Sequence, residues 1–464
     1  METVQIGELR GRRFTLIGLG RRTHVALARF LIRHGAVVRI SERKPLDELR
    51  EELALISDLP VEVQAGGHRD EHVADADAVF VTPGAPRDLP ILEAARRRGI
   101  PITNEIELVF ERCRAPIVGI TGSVGKTTTT SLIGRILAAA GRQVIVGGNI
   151  GVPVIEVVDD LGPDAWVVLE LSSFQLETLR RRPLVGAILN VTPNHLDRHP
   201  TFEHYRESKF NLLRHQLPTD WAILGADDPV AASFAERCPG QVRWFSIQHT
   251  VAAGAFLAGD ELRVRDSGSE TSFARVGDLI LPGRHNLLNV LAAAAIARSI
   301  GIGVSAIAEV AKSFPGVEHR LEFVRELDGV LYFNDSIATA PERTAAALRA
   351  FDRPVVLIAG GRSKHLPLGE VAMLVRQKAR AVVTFGEMAD EIMTALREPN
   401  REAHPPIEQV GNLVDAVDCA RRLAQPGDVV VLSPAGTSFD QFRDFEERGQ
   451  RFKEAVRALA EGRR

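Results

Sequence analysis

The segment from Ile117 to Thr128 (IVGITGSVGKTT) most constrains what this 464-residue chain can fold into. An apolar run, two glycines and a Lys-Thr pair in this order are typical of a buried strand that turns through a phosphate-binding loop into a helix beginning near Lys126. Gly122 and Gly125 allow the backbone to approach a polyphosphate closely, and the start of the helix presents N–H groups to it. Lys126 can reach the outer phosphates, and the Thr127 hydroxyl can hold Mg2+.

One position departs from the strict eight-residue nucleotide pattern, which has a glycine where this chain has Ile120. The loop is therefore a shortened relative of the common phosphate loop. The alternative is an ordinary glycine-rich turn of an α/β fold. We favour it less because the strand, the two glycines, the Lys-Thr pair and the helix all follow in the required order.

The rest of the chain alternates apolar strands with helical stretches, which predicts an α/β fold with mostly parallel sheets. The length is that of about three domains. We expect a Rossmann-like N-terminal domain at residues 1–104, a central P-loop ATPase-like domain at 105–316 and a Rossmann-like C-terminal domain at 317–464. Short strands from 242 to 281 indicate a β-rich insertion or edge. Pro315-Gly316 has the composition of a hinge, so we expect domain closure there.

Composition excludes several classes of function. A hydrophobic content of 45% and a charged content of 25% are typical of a globular protein. The net charge of −3 implies no broad basic surface for nucleic acid. We see no membrane span and no signal peptide. Cys113, Cys238 and Cys419 form no disulfide or metal pattern. We therefore expect a cytoplasmic monomer with neither a nucleic-acid nor a membrane partner.

The first domain has the outline of a βαβ nucleotide-binding unit. A strand runs into glycines at Arg13–Gly20, a helix follows, and Glu42 ends the next strand. The dinucleotide fingerprint is incomplete because Thr23 replaces its third glycine. Two interpretations stay open here. The unit is either a site for NAD or a lobe that binds the nucleotide portion of another substrate.

Polar side chains follow the strands of the central domain. Glu170 ends an apolar strand beside the phosphate loop, where a carboxylate is well placed for Mg2+, although it could also cap the following helix. Asn149 is the only side chain able to contact a ligand in the turn VGGNIG. His195 follows another strand and stands next to Asp197 and Arg198, which favours a role in a site. Lys209, taken by itself, has the pattern of a solvated lysine on a helix from Phe202 to Leu213.

Further candidates come later in the chain. Asn286 and Asn289 are three residues apart and share a face near the start of an alanine-rich helix. The segment Thr339–Glu342 matches a capping box that opens another helix. Gly360–Lys364 is a second glycine-rich turn with a basic residue.

With these segments in order, the chain resembles the Mur ligase family of peptidoglycan synthesis over essentially its whole length. It is most similar to the glutamate-adding branch of that family. The resemblance rests on GITGSVGKTT, VGGNIG, LELSSFQLE, NVTPNHLDRH, YRESKFNLL, GRHNLLN, EHRLEFV, NDSIAT, GGRSK, SPAGTSFDQF and FEERG. The segments LELSSFQLE, NDSIAT and SPAGTSFDQF are the most specific to the branch.

The resemblance implies a ligase that uses ATP to phosphorylate the carboxylate of UDP-N-acetylmuramoyl-L-alanine (UDP-MurNAc-L-Ala). The amine of D-glutamate then attacks this acyl phosphate and expels phosphate. Both steps crowd anionic oxygens, so positioning and charge neutralisation should supply most of the rate. Three alternatives stay open: a related ligase that adds another amino acid such as L-glutamate, an NAD-dependent oxidoreductase, and a switch protein that only hydrolyses ATP.

The resemblance also implies the residues of the ATP and metal sites. The ATP-binding residues would be Gly122, Ser123, Gly125, Lys126, Thr127, Thr128, Asn286, Asn289, Arg320 and Asp335. The ligands of two Mg2+ ions would be Thr127, Glu170, His195 and Lys209. Lys209 would be carbamylated, because a carbamate turns a cation into an anionic oxygen ligand. The catalytic residues would be Lys126, His195 and Lys209.

The substrate-binding residues follow from the same resemblance. Those for uridine diphosphate would be Glu42, Arg43, Lys44, Thr82, Pro83 and Gly84. Asn149, Ser172 and His195 would contact the muramoyl-alanine part, and Thr339, Lys364, Ser438 and Phe445 would form the glutamate pocket. Arg198 and Phe439 are further candidates for binding substrate.

The chain departs from the family pattern at a few positions. Val124 replaces the common Asn of the phosphate loop, and Ile337 stands where many relatives have Lys. Arg21-Arg22 occupy a first glycine turn that is one residue longer. None of these changes removes Lys126, Glu170 or His195.

Overall fold

Three sheets organise the chain, as the sequence predicts. The computed structural model describes residues 6–20, 22–83, 85–195, 198–266, 268–281, 283–397 and 404–461. The chain divides into two compact units, one formed by residues 1–277 and 288–311 and the other by 278–287 and 312–464. The predicted domain boundaries after residues 104 and 316 stay a prediction.

The N-terminal sheet is parallel throughout and has the strand order β3-β2-β1-β4-β5. Its strands are β1 (Arg13–Ile17), β2 (Val37–Ser41), β3 (Glu62–Gln64), β4 (Ala78–Val81) and β5 (Ile102–Thr103). Its helices are α1 (Thr23–Arg33), α2 (Arg50–Ala54), α3 (Pro90–Arg97) and α4 (Glu105–Arg112). The strand order reverses between β1 and β4, and the crevice at their carboxyl ends is where such sheets bind ligands. The prediction of a Rossmann-like first domain is confirmed.

The central sheet has nine strands in the order β14-β13-β12-β11-β10-β9-β6-β8-β7. They are β6 (Ile117–Thr121), β7 (Val144–Gly148), β8 (Trp166–Glu170), β9 (Val185–Ile188), β10 (Trp221–Gly225), β11 (Gln241–Ser246), β12 (Gly254–Ala258), β13 (Glu261–Asp266) and β14 (Ser269–Arg275). Among the described residues, the antiparallel pairings of this sheet are those of β12 with β13 and of β13 with β14, which confirms the predicted β-rich edge. The parallel strands β6 and β8 align Ile120 with Glu170, so the phosphate loop and this carboxylate leave the sheet at the same edge.

Six helices accompany this region of the chain. They are α5 (Lys126–Ala139), α6 (Ser173–Leu176), α7 (Phe202–Arg214), α8 (Pro229–Ser233), α9 (Arg284–Ser299) and α10 (Val304–Ser313). Helix α7 buries Tyr205, Phe210 and Leu213 on one face, as an amphipathic helix does. Helix α5 begins at the predicted residue, Lys126.

The C-terminal sheet has the order β15-β16-β20-β17-β18-β19 and is parallel except for the hairpin of β15 and β16. Its strands are β15 (Glu322–Leu327), β16 (Val330–Asn334), β17 (Val355–Gly360), β18 (Ala379–Phe385), β19 (Ile407–Gln409) and β20 (Val429–Ala435). Its helices are α11 (Pro341–Ala350), α12 (Gly369–Lys378), α13 (Ala389–Arg397), α14 (Leu413–Leu423) and α15 (Phe445–Ala458). Apolar cores lie on both faces, which explains why β17 and β20 are buried along their whole length.

One local prediction is wrong. Helix α11 begins at Pro341, so its N-cap is Ala340, which has no side chain able to accept a hydrogen bond. Thr339 lies one residue too early for the predicted capping box. In the described part of the chain, no helix is both long enough and apolar enough to cross a membrane. Cys113, Cys238 and Cys419 are all free thiols.

Candidate active site

The phosphate loop connects β6 to α5 through a turn that only glycine accommodates. Gly125, the N-cap of α5, has a φ of 86°, a left-handed conformation that carries no steric cost for glycine. A Cβ at this position would also lie 2.4 Å from Oδ1 of Asn289. Thr127 and Thr128 are buried in the first turn of the helix. The loop therefore has the backbone geometry that the sequence predicts.

Two side chains that the sequence analysis missed tie this loop to the segment after β9. Val124 N–H donates to Oδ1 of Asn190 (2.9 Å), and Nδ2 of Asn190 donates to Val124 O (3.1 Å). Oγ of Ser123 bonds Thr192 O at 2.9 Å and the Tyr205 hydroxyl at 2.9 Å. The position of Asn190 just after a strand could have marked it as a candidate. Tyr205 gave no signal beyond an apolar helix position.

The amines of two lysines donate hydrogen bonds to the same carbonyl oxygen of the phosphate loop. Nζ of Lys126 donates to Gly122 O at 2.9 Å and to Ser123 O at 3.2 Å. Nζ of Lys209 donates to the same Gly122 O at 2.9 Å and to Oγ1 of Thr121 at 3.3 Å. The side chain of Lys209 is buried, with the residue only 1% exposed. The interpretation of Lys209 as a solvated lysine is therefore wrong.

The surroundings of Lys209 favour its neutral form. Burial lowers the pKa of the Lys209 amine well below its usual range, and the nearby charge of Lys126 lowers it further. Nζ lies 4.7 Å from the ring centre of Tyr205, one helical turn before it. Among the described residues no carboxylate forms an ion pair with this amine. A neutral amine is a nucleophile, whereas an ammonium is not.

Glu170 presents an unsatisfied oxygen at the same edge of the sheet. The residue is buried, and its Oε1 accepts a hydrogen bond from Nδ2 of Asn149 at 3.0 Å. Its Oε2 is buried with no hydrogen-bond partner among the described residues. A carboxylate oxygen in this state fits a hard divalent cation, since Mg2+ prefers oxygen ligands. The described residues contain no cluster of three or more His, Cys, Asp and Glu side chains arranged to hold a metal.

The alternative that Glu170 caps the next helix is wrong. Helix α6 is capped by Ser172, whose Oγ accepts from Gln175 N–H at 3.3 Å. Oε1 of Gln175 accepts in return from Ser172 N–H at 2.9 Å. Ser172, predicted to bind substrate, therefore also fixes the start of α6.

The segment after β9 gathers around the ring of Phe174. His195 is exposed and has a φ of 55°, and its ring centre lies 5.3 Å from that of Phe174. The guanidinium of Arg198, also exposed, lies 5.4 Å from the same ring centre. Asp197 lies outside the described residues. The predicted site residues His195 and Arg198 thus both lie beside the ring of Phe174.

A second histidine of this segment was missed. His199 is buried and stacks on Phe174 at 4.9 Å, and its Nε2 meets Oγ of Ser173 at 2.9 Å. Its Nδ1 meets Nδ1 of His204 at 3.0 Å. Burial lowers the pKa of His199 to about 4, so the ring is neutral at pH 7. His199 therefore serves to pack and orient the segment.

The predicted uridine-diphosphate residues meet at the first glycine turn. Glu42 accepts from Leu19 N–H (2.6 Å) and from Lys44 N–H (3.1 Å). Gly18 has a φ of 86°, and a Cβ there would lie 3.4 Å from Oγ1 of Thr82. The remaining residues of this predicted set are exposed Arg43 and Lys44, partly buried Pro83, and Gly84, which lies outside the described residues.

In the second unit, Asp335 directly follows strand β16 and is buried. Its Oδ2 accepts from Oγ of Ser433 at 2.9 Å, and its Oδ1 accepts from Leu321 N–H at 3.2 Å. Burial raises the pKa of Asp335 to about 7, and the charge of Arg320 opposes that rise. The carboxyl group of Asp335 is thus held in place by neutral donors.

The predicted glutamate residues also lie in this unit. Nζ of Lys364 is 3.4 Å from Oγ1 of Thr339. Ser438 is buried, whereas Phe439 is 61% exposed. Phe445 opens helix α15 and packs edge-to-face against His319, with ring centres 6.0 Å apart.

The two asparagines of α9 are both buried in its first turns. The backbone N–H of Asn286 donates to Gly283 O at 3.0 Å. Oδ1 of Asn289 accepts from Oγ1 of Thr129 at 3.3 Å, which joins this side chain to helix α5.

Arg448 is the largest of the fully buried side chains and was not predicted as a site residue. Its Nε donates to Oγ of Ser336 (3.0 Å), its Nη2 to Ser336 O (2.9 Å) and its Nη1 to Gly436 O (3.1 Å). Burial lowers the pKa of Arg448 to about 10, although the charge of Asp440 acts in the opposite direction. The guanidinium therefore stays charged at pH 7 and links the NDSIAT and SPAGTSF segments.

Family models match most of the chain. Residues 12–104 match the Mur ligase MurD-like N-terminal domain, and residues 120–297 match the Mur ligase middle domain. Residues 319–436 match the Mur ligase glutamate ligase domain.

Known relatives and solved structures agree with these models. The chain is 46% identical to UDP-N-acetylmuramoylalanine--D-glutamate ligase of Symbiobacterium thermophilum, over 97% of this chain and 98% of that protein. It is 42% identical to the protein of the same name from Koribacter versatilis, over 98% and 99% of the two chains. The fold is similar to that of UDP-N-acetylmuramate-alanine ligase MurC from Thermotoga maritima, with a TM-score of 0.57, 21% identity and coverage of 96% and 99% of the two chains. A UDP-N-acetylmuramoyl-L-alanyl-D-glutamate--2,6-diaminopimelate ligase has a TM-score of 0.58 at 17% identity, with 97% and 92% coverage.

Proposed function

Because the chain belongs to the Mur ligase family, we propose that it is an ATP-dependent ligase that joins D-glutamate to UDP-MurNAc-L-Ala. ADP and phosphate would be the other products. The observation that carries the proposal is full-length similarity to relatives that bear the name of this enzyme, at 46% and 42% identity. Three features of the structure also fit the chemistry of such a ligase: the phosphate loop, buried Lys209 and the unsatisfied oxygen of Glu170.

ATP binding is the task of the phosphate loop in this proposal. The backbone amides before α5 and the ammonium of Lys126 would hold the phosphates, because both concentrate positive charge at the start of a helix. The remaining residues of the ATP set would be Gly122, Ser123, Gly125, Thr127, Thr128, Asn286, Asn289, Arg320 and Asp335.

Two Mg2+ ions would be held by Thr127, Glu170, His195 and carbamylated Lys209. When bound, such ions neutralise charge on phosphate and carboxylate oxygens. Oε2 of Glu170 is the group whose present environment fits this role best, since it is buried without a partner among the described residues.

The state of the Lys209 amine supports the proposed carbamate. A neutral amine attacks the carbon of CO2, a C–N bond forms while one C=O π bond opens and its electron pair moves to oxygen, and the nitrogen releases one proton to solvent, which leaves an anionic carbamate. Two lysine side chains now share the carbonyl oxygen of Gly122. Conversion of the Lys209 amine to an anionic carbamate would add an attraction to the positive charge of Lys126 and would supply a negatively charged oxygen.

Different residues would bind the two substrates. Lys364, Thr339 and Ser438 would bind the carboxylates of D-glutamate through an ammonium and two hydroxyl groups, with Phe445 beside them. The nucleotide of the other substrate would bind to Glu42, Arg43, Lys44, Thr82, Pro83 and Gly84. Its muramoyl-alanine part would contact Asn149, Ser172 and His195, and Arg198 and Phe439 are further candidates. We also propose that the enzyme acts as a cytoplasmic monomer with no nucleic-acid or membrane partner.

An amino-acid panel tests the proposal. Purified protein is incubated with ATP, Mg2+, UDP-MurNAc-L-Ala and each of D-glutamate, L-glutamate and other amino acids, and the amide product is identified by mass spectrometry with its stereochemistry. We expect product with D-glutamate. Product only with another amino acid would replace the substrate assignment, and ATP hydrolysis without any amide would indicate a switch protein. A change in nicotinamide fluorescence when the protein is added to NADH would favour an oxidoreductase.

A further inference from the structure

Arg87 connects the N-terminal region to the short helix α6, to which Asn104 also donates a hydrogen bond, at Gln175 O (3.0 Å). Arg87 lies in the segment between β4 and α3. Its Nε donates to Oε2 of Glu177 at 3.1 Å, and its Nη2 donates to Phe174 O at 3.0 Å. The Arg87 and Glu177 side chains are 23% and 20% exposed, so the contact is more shielded from solvent than a surface ion pair.

One end of this bridge supports the residues proposed to contact muramoyl-alanine. Ser172 is the N-cap of α6, and Glu177 is its C-cap. The ring of Phe174 lies beside those of His195 and His199. A shift of α6 would therefore move the surroundings of both Ser172 and His195.

The other end belongs to the segment proposed to hold uridine diphosphate. Thr82 and Pro83 precede Arg87 in the same β4–α3 connection. The carbonyl oxygen of Arg87 accepts from Nη2 of Arg96 at 3.1 Å, which fixes this segment to α3. Arg87 is thus anchored on its own domain by its backbone and on α6 by its side chain.

We infer that Arg87 is a positioning residue that sets the distance between the nucleotide part and the muramoyl-alanine part of the bound substrate. The inference rests on the proposed function, because it takes the two binding regions from there. Arg87 acts only on a ligand that spans both regions. A ligand that occupies the nucleotide region alone does not sense the bridge.

The positioning role of Arg87 is tested by substituting it and comparing two ligands, UDP-MurNAc-L-Ala and UDP. Arg87→Ala removes both hydrogen bonds, and we expect the KM for UDP-MurNAc-L-Ala to rise about tenfold, the effect of about 1.4 kcal/mol. The KM values for ATP and D-glutamate, and the Kd of UDP measured by calorimetry, should stay within about twofold of wild type. Arg87→Lys should give an intermediate KM, because lysine keeps the charge but lacks the planar fork that reaches two acceptors.

Arg97→Ala is the matched control. Arg97 lies on α3 of the same domain and pairs with Asp70, and both side chains are largely exposed. This variant should leave every constant unchanged. Glu177→Ala combined with Arg87→Ala should cost less than the sum of the two single changes, because both remove the same contact.

Two results would overturn the inference. Equal weakening of UDP and UDP-MurNAc-L-Ala binding in Arg87→Ala would mean that the change only damages the N-terminal domain. Unchanged binding of both would mean that the bridge does not position the substrate. If the wild-type protein forms no amide, the proposed function fails. Calorimetry with UDP and UDP-MurNAc-L-Ala would still test whether Arg87 positions the bound substrate.

Discussion

We predict that Lys209 lowers the stability of the protein while its activity depends on it. Lys209→Met keeps the length and apolar stem of the side chain but removes the amine. In CO2-depleted buffer, where the amine carries no carbamate, we expect the variant to resist urea better than the wild type at pH 7. With bicarbonate present, where the wild type can carry the carbamate, turnover of the variant should be lower by about 10² to 10³, the usual effect of deleting one group that stabilises developing charge.

The size of the stability change follows from what Lys209 contacts. Its two hydrogen bonds contribute about 1 kcal/mol each. Their loss leaves no acceptor without a partner, because Gly122 O still accepts from Lys126 and Oγ1 of Thr121 still donates to Leu171 O. Keeping an ammonium buried costs several kcal/mol. The free energy of unfolding should therefore rise by about 1 to 3 kcal/mol in Lys209→Met.

The pH dependence of stability independently gives the direction of the effect of Lys209 on the free energy of unfolding. The pKa of Lys209 is lowered in the folded protein from the ordinary value of 10.5. Between the folded pKa and 10.5 the unfolded chain binds one more proton, so wild-type stability rises with pH over that range. The destabilisation is complete below the folded pKa and disappears above the unfolded one. Lys209→Met should lack this rise.

Urea titrations of both proteins at several pH values, together with amide-forming turnover, measure the prediction. Lys453→Met is the matched control, since Lys453 is also buried but bonds Glu318 at 2.5 Å and Glu322 at 3.2 Å. That substitution leaves carboxylates without their cation and should destabilise the protein. A Lys209→Met variant that is as destabilised as Lys453→Met, or that retains wild-type turnover, would refute the reasoning.

Three further predictions concern the same sites. Turnover should fall in CO2-depleted buffer and return with bicarbonate, and a short carboxylic acid should partly restore Lys209→Ala; indifference to all of these would exclude the carbamate. Gly125→Ala should lower the free energy of unfolding by about 2 kcal/mol, because the new methyl group would strain the left-handed backbone and would collide with Oδ1 of Asn289. The variant should also bind ATP more weakly in calorimetry. Gly141→Ala, at a φ of 74° with no atom within 4 Å, is the control that carries the strain alone. Arg448→Lys should raise the KM for D-glutamate about tenfold through loss of its forked hydrogen bonds, whereas an equal rise in the KM for ATP would contradict a local role.

The sequence was most informative where structure depends on neighbouring residues. The helix start at Lys126 and the placement of Glu170 at a strand end were predicted correctly, because both depend on local order along the chain. The burial of Lys209 could not be predicted in this way. Its amine reaches Thr121 and Gly122, which lie more than 80 residues earlier, so its burial depends on how α7 packs against the phosphate loop. The capping-box prediction failed although it concerned neighbouring residues. It requires the helix to start at one exact position, and the N-cap is Ala340, one residue later than the predicted Thr339.

Two buried basic side chains, Lys209 and Arg448, can be compared by their chemistry. Lys209 and Arg448 form no hydrogen bond to a carboxylate among the described residues, and apolar side chains of similar volume would remove the cost of burying charge. A lysine can lose its proton and react, so Lys209 can become neutral and then anionic. An arginine cannot be deprotonated under these conditions. Arg448 therefore stays positive beside Gly436, two residues before Ser438, where a permanent cation favours an anion such as a carboxylate.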